Sequence, residues 1–456
     1  ERLMSKRARG AETTLLNLEA LENAVPWEKL GADIADPLRR ALDTARRERP
    51  ATERAKAADA AREATFEALE DEERSEAACN TYSAASILFA DATLAGGDCG
   101  GGEGAEAVDS EAAALRACDL AMLRGDTAEW ATIAEPVVRA ASAGVAREAR
   151  RLAVRAAVPR SEPEPVCEHM GGPAAEIERV DARGLSVADF SQRYLESGTP
   201  VILTHAIGSW PARTCRPWSC EYLRALAGER LVPVEVCSAA EASRGFLSAS
   251  WERRVMSLSA FLDQHGAGGG EGDGDGGGGE VGYLAQHALF AQVPTLRDDI
   301  ETPAYCGAAD AADEAAPAEC EARSSPLASA WLGGKGTVSP LHNDPYHNLL
   351  AQVEGHKYVR LYAPRHTGAL YPLPGDRCNA SAVNLDAPDE GAFPRFGAAP
   401  YSHAVLRPGE LLHIPRLHWH YVRSLSPAFS VSFMWGARMG LRRSTDASGD
   451  EFVADY

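Results

Sequence analysis

Three side chains in the second half of the chain could hold a metal ion between them. Ser339-Pro340-Leu341-His342-Asn343-Asp344-Pro345 carries an imidazole and a carboxylate two residues apart. On a strand, residues i and i+2 face the same side, so His342 and Asp344 can point at one place. A second imidazole, His420, lies in Leu417-His418-Trp419-His420-Tyr421, after a strand expected over 409–415. Two His and one carboxylate on one side of a metal leave the adjacent positions open. That facial triad is the ligand set of oxygen-activating non-haem Fe(II) centres. A His-x-Asp pair alone carries little, because an exposed histidine beside an acid is commonplace. His418 is a rival ligand on paper, but a His418/His420 chelate leaves the His342/Asp344 pair without its third member. His413 falls in the apolar run Leu411–Ile414, and His347, His356 and His366 read as surface or supporting residues.

Two charged residues sit in apolar strands. Over Lys357–Tyr362, alternation sends Lys357, Val359 and Leu361 to one face and Tyr358, Arg360 and Tyr362 to the other. An inward lysine needs an anion, since burying an unpaired charge is costly. An edge lysine turned to solvent is the alternative. Glu235, in the strand expected over Leu231–Val236, likewise wants a cation, whether a ligand's or one of the chain's own arginines.

These residues need a scaffold, and the chain changes texture along its length. Residues 1–157 are rich in Ala, Arg, Glu and Leu, good helix formers, with apolar stripes such as Leu15, Leu16, Leu18, Leu21 and Val25. They predict an all-α domain that packs or binds a protein partner, and breaks are expected at 98–104 and 125–127. The Pro- and Gly-containing stretch 158–177 reads as a linker. From 178 to 436, short helices give way to short strands separated by Pro and Gly turns, the pattern of a double-sheet jelly roll. Gly-rich 266–279 reads as a surface loop; its Asp273-Gly274-Asp275 lacks calcium-loop spacing. Residues 437–456 form a tail.

The motifs occur together and in order. Trp331 and Gly336-Thr337-Val338-Ser339-Pro340-Leu341-His342-Asn343-Asp344 come first. Gly355-His356-Lys357-Tyr358-Val359-Arg360-Leu361-Tyr362 follows. Then come Pro408-Gly409-Glu410-Leu411-Leu412-His413-Ile414-Pro415, Trp419-His420-Tyr421-Val422-Arg423 and Phe429-Ser430-Val431-Ser432-Phe433. This series resembles the JmjC family of Fe(II)- and 2-oxoglutarate-dependent oxygenases, over about residues 178–435. The resemblance implies an α+β chain, with a cupin-like double-stranded β-helix after the helical domain. It implies iron on His342, Asp344 and His420, with 2-oxoglutarate and O2 as cosubstrates. Lys357 would take the distal carboxylate of 2-oxoglutarate, with Tyr283, Ser339 and Asn348 hydrogen-bonding to the same molecule. Glu235 would face a substrate arginine, whose fork matches a carboxylate, and Trp331 would offer it a flat wall. The chain departs from the family at Met434-Trp435, where paired Trp is usual: Met fills the space but lacks the indole N–H.

The activity so implied is hydroxylation of a protein side chain, arginine first. Histone N-methyl-lysine demethylation is the alternative within the class. A non-catalytic JmjC scaffold is the alternative outside it, opposed by the intact triad and Lys357. No protease constellation is visible.

Composition narrows the partners. Of 456 residues, 46 are Lys or Arg and 66 are Asp or Glu, a net charge of −20. That disfavours binding along a nucleic-acid backbone and suits a basic peptide. Ten scattered cysteines without a C-x-x-C pair suggest free thiols in a reducing compartment, nucleus or cytoplasm. No run reaches the roughly 18 apolar residues that would span a bilayer.

Overall fold

The computed structural model describes residues 16–30, 32–47, 49–69, 76–97, 105–124, 127–155, 173–266, 279–308, 326–436, 442–445 and 451–454. The expected break at 98–104, nearly all of the linker and most of the Gly-rich loop lie outside these ranges.

The first part is helical: Leu18–Asn23 (α1), Ala32–Arg46 (α2), Ala51–Leu69 (α3), Glu76–Gly97 (α4), Ala105–Arg124 (α5), Thr127–Ala141 (α6) and Ala143–Arg155 (α7). Helix α2 buries Ala35, Leu38, Ala41, Leu42 and Ala45, the one-sided spacing of a surface helix. Helix α4 is buried on all sides from Thr81 to Leu88, which marks it as the centre of the bundle. Trp130, Met122 and Val138 close the core around it.

The second part is built on strands Ala174–Glu176 (β1), Arg179–Asp181 (β2), Val201–Thr204 (β3), Leu231–Ser238 (β4), Glu252–Ser257 (β5), Glu280–His287 (β6), Leu327–Gly333 (β7), Val338–His342 (β8), His347–Glu354 (β9), Lys357–Tyr362 (β10), Tyr401–Leu406 (β11), Leu411–Ile414 (β12), Trp419–Ser424 (β13) and Ala428–Trp435 (β14). They form a five-stranded sheet, β1-β11-β10-β13-β8, and a nine-stranded sheet, β2-β3-β12-β9-β14-β7-β6-β4-β5. The chain shuttles between the two sheets, as a double-stranded β-helix must. Inward residues of both sheets, among them Leu350, Val359, Leu361, Leu412, Ile414 and Val422, meet in one cluster. Short helices cover the outer face of the larger sheet, and loops 364–399 cover that of the smaller. In the tail, Arg442–Thr445 and Glu451–Ala454 pair antiparallel.

Alternation in β10 is as read from sequence: Val359 and Leu361 point between the sheets, Tyr358 and Tyr362 into the loop cluster. Two local features depart from expectation. The short helix at Val187–Phe190, one of those expected after residue 178, widens into a π-turn over Ser191–Leu195. Residues Ala239–Leu247 form 3₁₀ turns kinked at Gly245, whose φ of 47° brings its Cα against the β8 backbone.

The helical and strand-built parts are joined by a buried ion pair. Asp119 of α5 accepts two hydrogen bonds from Arg230 Nε, at 2.9 and 3.0 Å, and one from the Leu231 backbone N–H at 2.9 Å. Both side chains are buried. The Leu231 carbonyl in turn accepts from Gln292 Nε2 at 2.6 Å, so the first residue of β4 is held on both sides. All seven described cysteines are free thiols. No helix among the described residues is long and apolar enough to cross a membrane.

Candidate active site

The metal-binding candidates converge. Ligand atoms of His342, Asp344 and His420 all lie within 4.8 Å of one another, the one such group found among the described residues. His342 Nε2 is 3.9 Å and His420 Nε2 3.6 Å from Asp344 Oδ2. The two histidines come together because β8 and β13 are antiparallel neighbours with His342 opposite His420. Asp344 arrives by another route than the strand alternation expected, since β8 ends at His342. Its carbonyl accepts the backbone N–H of Leu417 at 2.9 Å, pinning the Asp344 turn to the loop that leads into His420.

Tautomers follow from the neighbours. His342 Nδ1 lies 2.7 Å from the Pro340 carbonyl, and His420 Nδ1 lies 3.0 Å from the His418 carbonyl. A carbonyl can only accept, so each neutral ring carries its proton on Nδ1 and presents a bare Nε2. Burial, and next the neighbouring His342, holds the His420 pKa down to about 4, which keeps that ring neutral. Two imidazole lone pairs and a carboxylate facing one point, on a partly buried rim, fit a divalent iron. The His418 ring lines a different cavity; its carbonyl supports His420.

A narrow cleft opens beside the triad. Tyr283, Trp331, Ser339, Asn348, Lys357 and Met434 line it together with the three ligands. Lys357 is 1% exposed, and its Nζ reaches the Tyr283 hydroxyl at 3.2 Å. Burial alone pulls its pKa down to about 7. A buried amine with a hydroxyl but no carboxylate beside it is the cradle an anion would complete. Asn348 lines the same cleft, and its amide Nδ2 is the group able to donate to an anion. This arrangement fits the dicarboxylate 2-oxoglutarate, with one end near the triad and the other at Lys357.

Glu235 lies next door. It pairs in register with Tyr283 on β6 and with Arg253 on β5. It lines a small cavity with Trp251, Gly245, Thr337 and Val338, and Tyr283 forms the wall shared with the metal-side cleft. No ion pair neutralises it among the described residues. Burial raises its pKa, and the opposing pull of Trp251 and Arg253 does not cancel that. Trp331 packs 5.9 Å from the Tyr283 ring, with its indole N–H donated to Ser432 Oγ at 2.9 Å.

Sequence reasoning missed the rim. Phe246, 36% exposed, stands edge-on to the His342 ring at 6.1 Å, and Trp251 flanks Glu235. Both fall in the irregular stretch around the Gly245 kink, where no periodicity was available. His347 and His356, read as surface or supporting residues, are buried, which leaves the supporting alternative.

A jelly roll gathering two imidazoles and a carboxylate between its sheets defines a class, the cupin-type metal-dependent oxygenases. Comparison with known proteins agrees. The model of the Cupin-like domain family matches residues 187–439, more than half of the chain. The chain is 38% identical over 334 residues to "Lysine-specific demethylase 8" of Danio rerio, covering 71% of this chain and 74% of that protein. It is 41% identical over 260 residues to "Lysine-specific demethylase JMJ30" of Arabidopsis thaliana, covering 56% and 54%. It is also 36% identical over 262 residues to "Jumonji C domain-containing protein 5" of Drosophila melanogaster, covering 57% and 60%. The chain belongs to the JmjC family of cupin-like, 2-oxoglutarate-dependent oxygenases.

Proposed function

We propose that this protein is an Fe(II)- and 2-oxoglutarate-dependent dioxygenase that hydroxylates arginine in a basic protein or peptide. His342, Asp344 and His420 would hold the iron. Lys357 and Tyr283 would bind the far carboxylate of 2-oxoglutarate, with Ser339 and Asn348 completing its hydrogen bonds. When bound, iron and 2-oxoglutarate supply the activation of O2 that C–H oxidation requires. The chain's part is to orient and to exclude: inward Leu350, Ile414, Val422 and Met434 keep water from the cleft, and Trp331 walls it.

The observation that carries the arginine reading is Glu235. It is a half-buried carboxylate that makes no ion pair among the described residues, with Arg253 opposite it on β5 acting only at longer range, one shared wall from the metal-side cleft. A guanidinium seated there would make a charge-assisted, two-pronged contact while its side chain crosses Tyr283 towards the triad. Demethylation of N-methyl-lysine is the second reading, favoured by the names of the relatives. We further propose that the helical part serves as the site for a protein partner. Incubating the protein with arginine and methyl-lysine peptides, iron and 2-oxoglutarate, and reading mass, tests the function. Gain of one oxygen on arginine is the expected product. Loss of a methylene from methyl-lysine, with arginine untouched, would replace this reading with the second.

A further inference from the structure

Glu235 shares its sheet face with a guanidinium of the same chain. Arg253 on β5 is the register partner of Glu235 on β4, and Glu235 is in turn the partner of Tyr283 on β6. Partners on neighbouring strands project to the same face, with Cβ atoms about 4.5–5.5 Å apart. The other face of β4 is the core side, where Val234 and Val236 are buried. Strand β5 is the last of the nine-stranded sheet, and Arg253 is exposed on it. Its guanidinium lies 5.8 Å from the ring of Trp251, which lines the Glu235 cavity. The next residue, Arg254, is already committed: it donates to both carboxylate oxygens of Glu280, at 2.6 and 2.8 Å. Arg253 and Glu235 make no ion pair among the described residues, yet the positive charge of the first acts on the carboxylate of the second.

A half-buried carboxylate without a salt bridge is costly, and a cation one strand away offers relief. The arginine side chain is long enough to cross the gap between two strands by rotating its own bonds, and no further strand flanks β5 to hold it back. We propose that Arg253 competes with the substrate's guanidinium for Glu235 and so sets the threshold an incoming side chain must exceed; this rests on the arginine reading of Glu235. An incoming guanidinium replaces a fork with an equal fork and adds the remaining contacts of the cavity. A single ammonium replaces a fork with a weaker contact. Competition from within the chain thus lowers absolute affinity while widening the preference for arginine over lysine. Arg253 is on this view a specificity-determining residue that need not touch the substrate.

Calorimetric titration of the full chain, loaded with iron and 2-oxoglutarate in the absence of oxygen, tests this. The probes are the peptide acetyl-Gly-Gly-Arg-Gly-Gly-amide and its lysine counterpart. Arg253→Gln, at an exposed position, should tighten the arginine peptide about two- to fivefold, the size of one opposite-charge pair across strands. It should tighten the lysine peptide more. In a Glu235→Gln background the same substitution should change neither, since the group competed for is gone. Unchanged or weaker arginine-peptide binding in the Arg253→Gln protein, alongside clearly weakened binding in the Glu235→Gln protein, would overturn the competition and leave the arginine reading standing. Tightening that persists in the Glu235→Gln background would reduce Arg253 to general charge repulsion and overturn it as well. Undiminished arginine-peptide binding in the Glu235→Gln protein, or no saturable binding by any of these proteins, would remove the arginine reading and the competition together.

Discussion

His342 and His420 face each other across the β8–β13 pair with ring centroids 4.1 Å apart, and each donates its Nδ1 proton to the carbonyl two residues before it. The same local device fixes both rings and leaves both Nε2 atoms bare. The iron assignment rests on this relationship together with the Asp344 carboxylate.

Asp344→Ala or His342→Ala should abolish 2-oxoglutarate turnover and iron binding in a folded protein, since neither side chain belongs to the hydrophobic core. His418→Ala should be much milder than His420→Ala, because His418 acts through its carbonyl, which alanine keeps. Metal content and circular dichroism check both statements. Full turnover in a folded Asp344→Ala protein would remove the triad.

Lys357→Ala should raise the 2-oxoglutarate requirement about ten- to hundredfold, the equivalent of one charge-assisted bond of roughly 1.5–3 kcal/mol. The pH dependence has a definite sign. Without an anion the lysine pKa is about 7; a bound carboxylate favours the ammonium and raises it. Cosubstrate affinity should thus be full below about pH 7 and decline as pH rises towards the higher pKa of the complex. A flat affinity profile from pH 6 to 9 (roughly the window between the two states) would place Lys357 outside the contact.

Glu235→Gln should weaken turnover of arginine peptides while iron and 2-oxoglutarate binding stay almost unchanged. Replacing the target arginine by lysine should also be poorly tolerated, because one ammonium cannot reproduce the guanidinium fork. Arginine turnover should fall on the acid side sooner than for an exposed glutamate, since burial raises the Glu235 pKa. Equal rates for the Gln variant and the parent protein would take Glu235 out of recognition.

Phe246 offers apolar surface at the mouth of the site, edge-on to a proposed iron ligand. Phe246→Ala should raise the peptide KM severalfold with little change in the cosubstrate KM. An unaltered peptide KM would leave Phe246 a bystander.

How legible was all this in the chain? Residues fixed by periodicity were readable. Lys357 could be placed inward because its neighbours on β10 alternate cleanly, and His342 and His420 because strand runs surround them. Asp344 reached its position for a reason the sequence does not display, a backbone hydrogen bond from Leu417, 73 residues further along the chain. Phe246 and Trp251 escaped for the opposite reason. They sit in turns shaped by Gly245, where neither a period of two nor of 3.6 exists to be read.

The Asp119–Arg230 pair gives the molecule a different set of joints from the one its sequence suggests. Composition divides the chain near residue 158, yet the guanidinium just before β4 pairs, among the described residues, with a carboxylate on the far side of that line. Losing one partner of a buried pair costs about 3–5 kcal/mol, comparable to the whole stability margin of many domains. The two halves should therefore melt in a single transition, and Asp119→Ala should lower the melting temperature of the catalytic half too. Glu235 stands four residues beyond Leu231, whose N–H the same aspartate holds. A protein docking on the helices would thus be mechanically in touch with the residue proposed to choose the substrate.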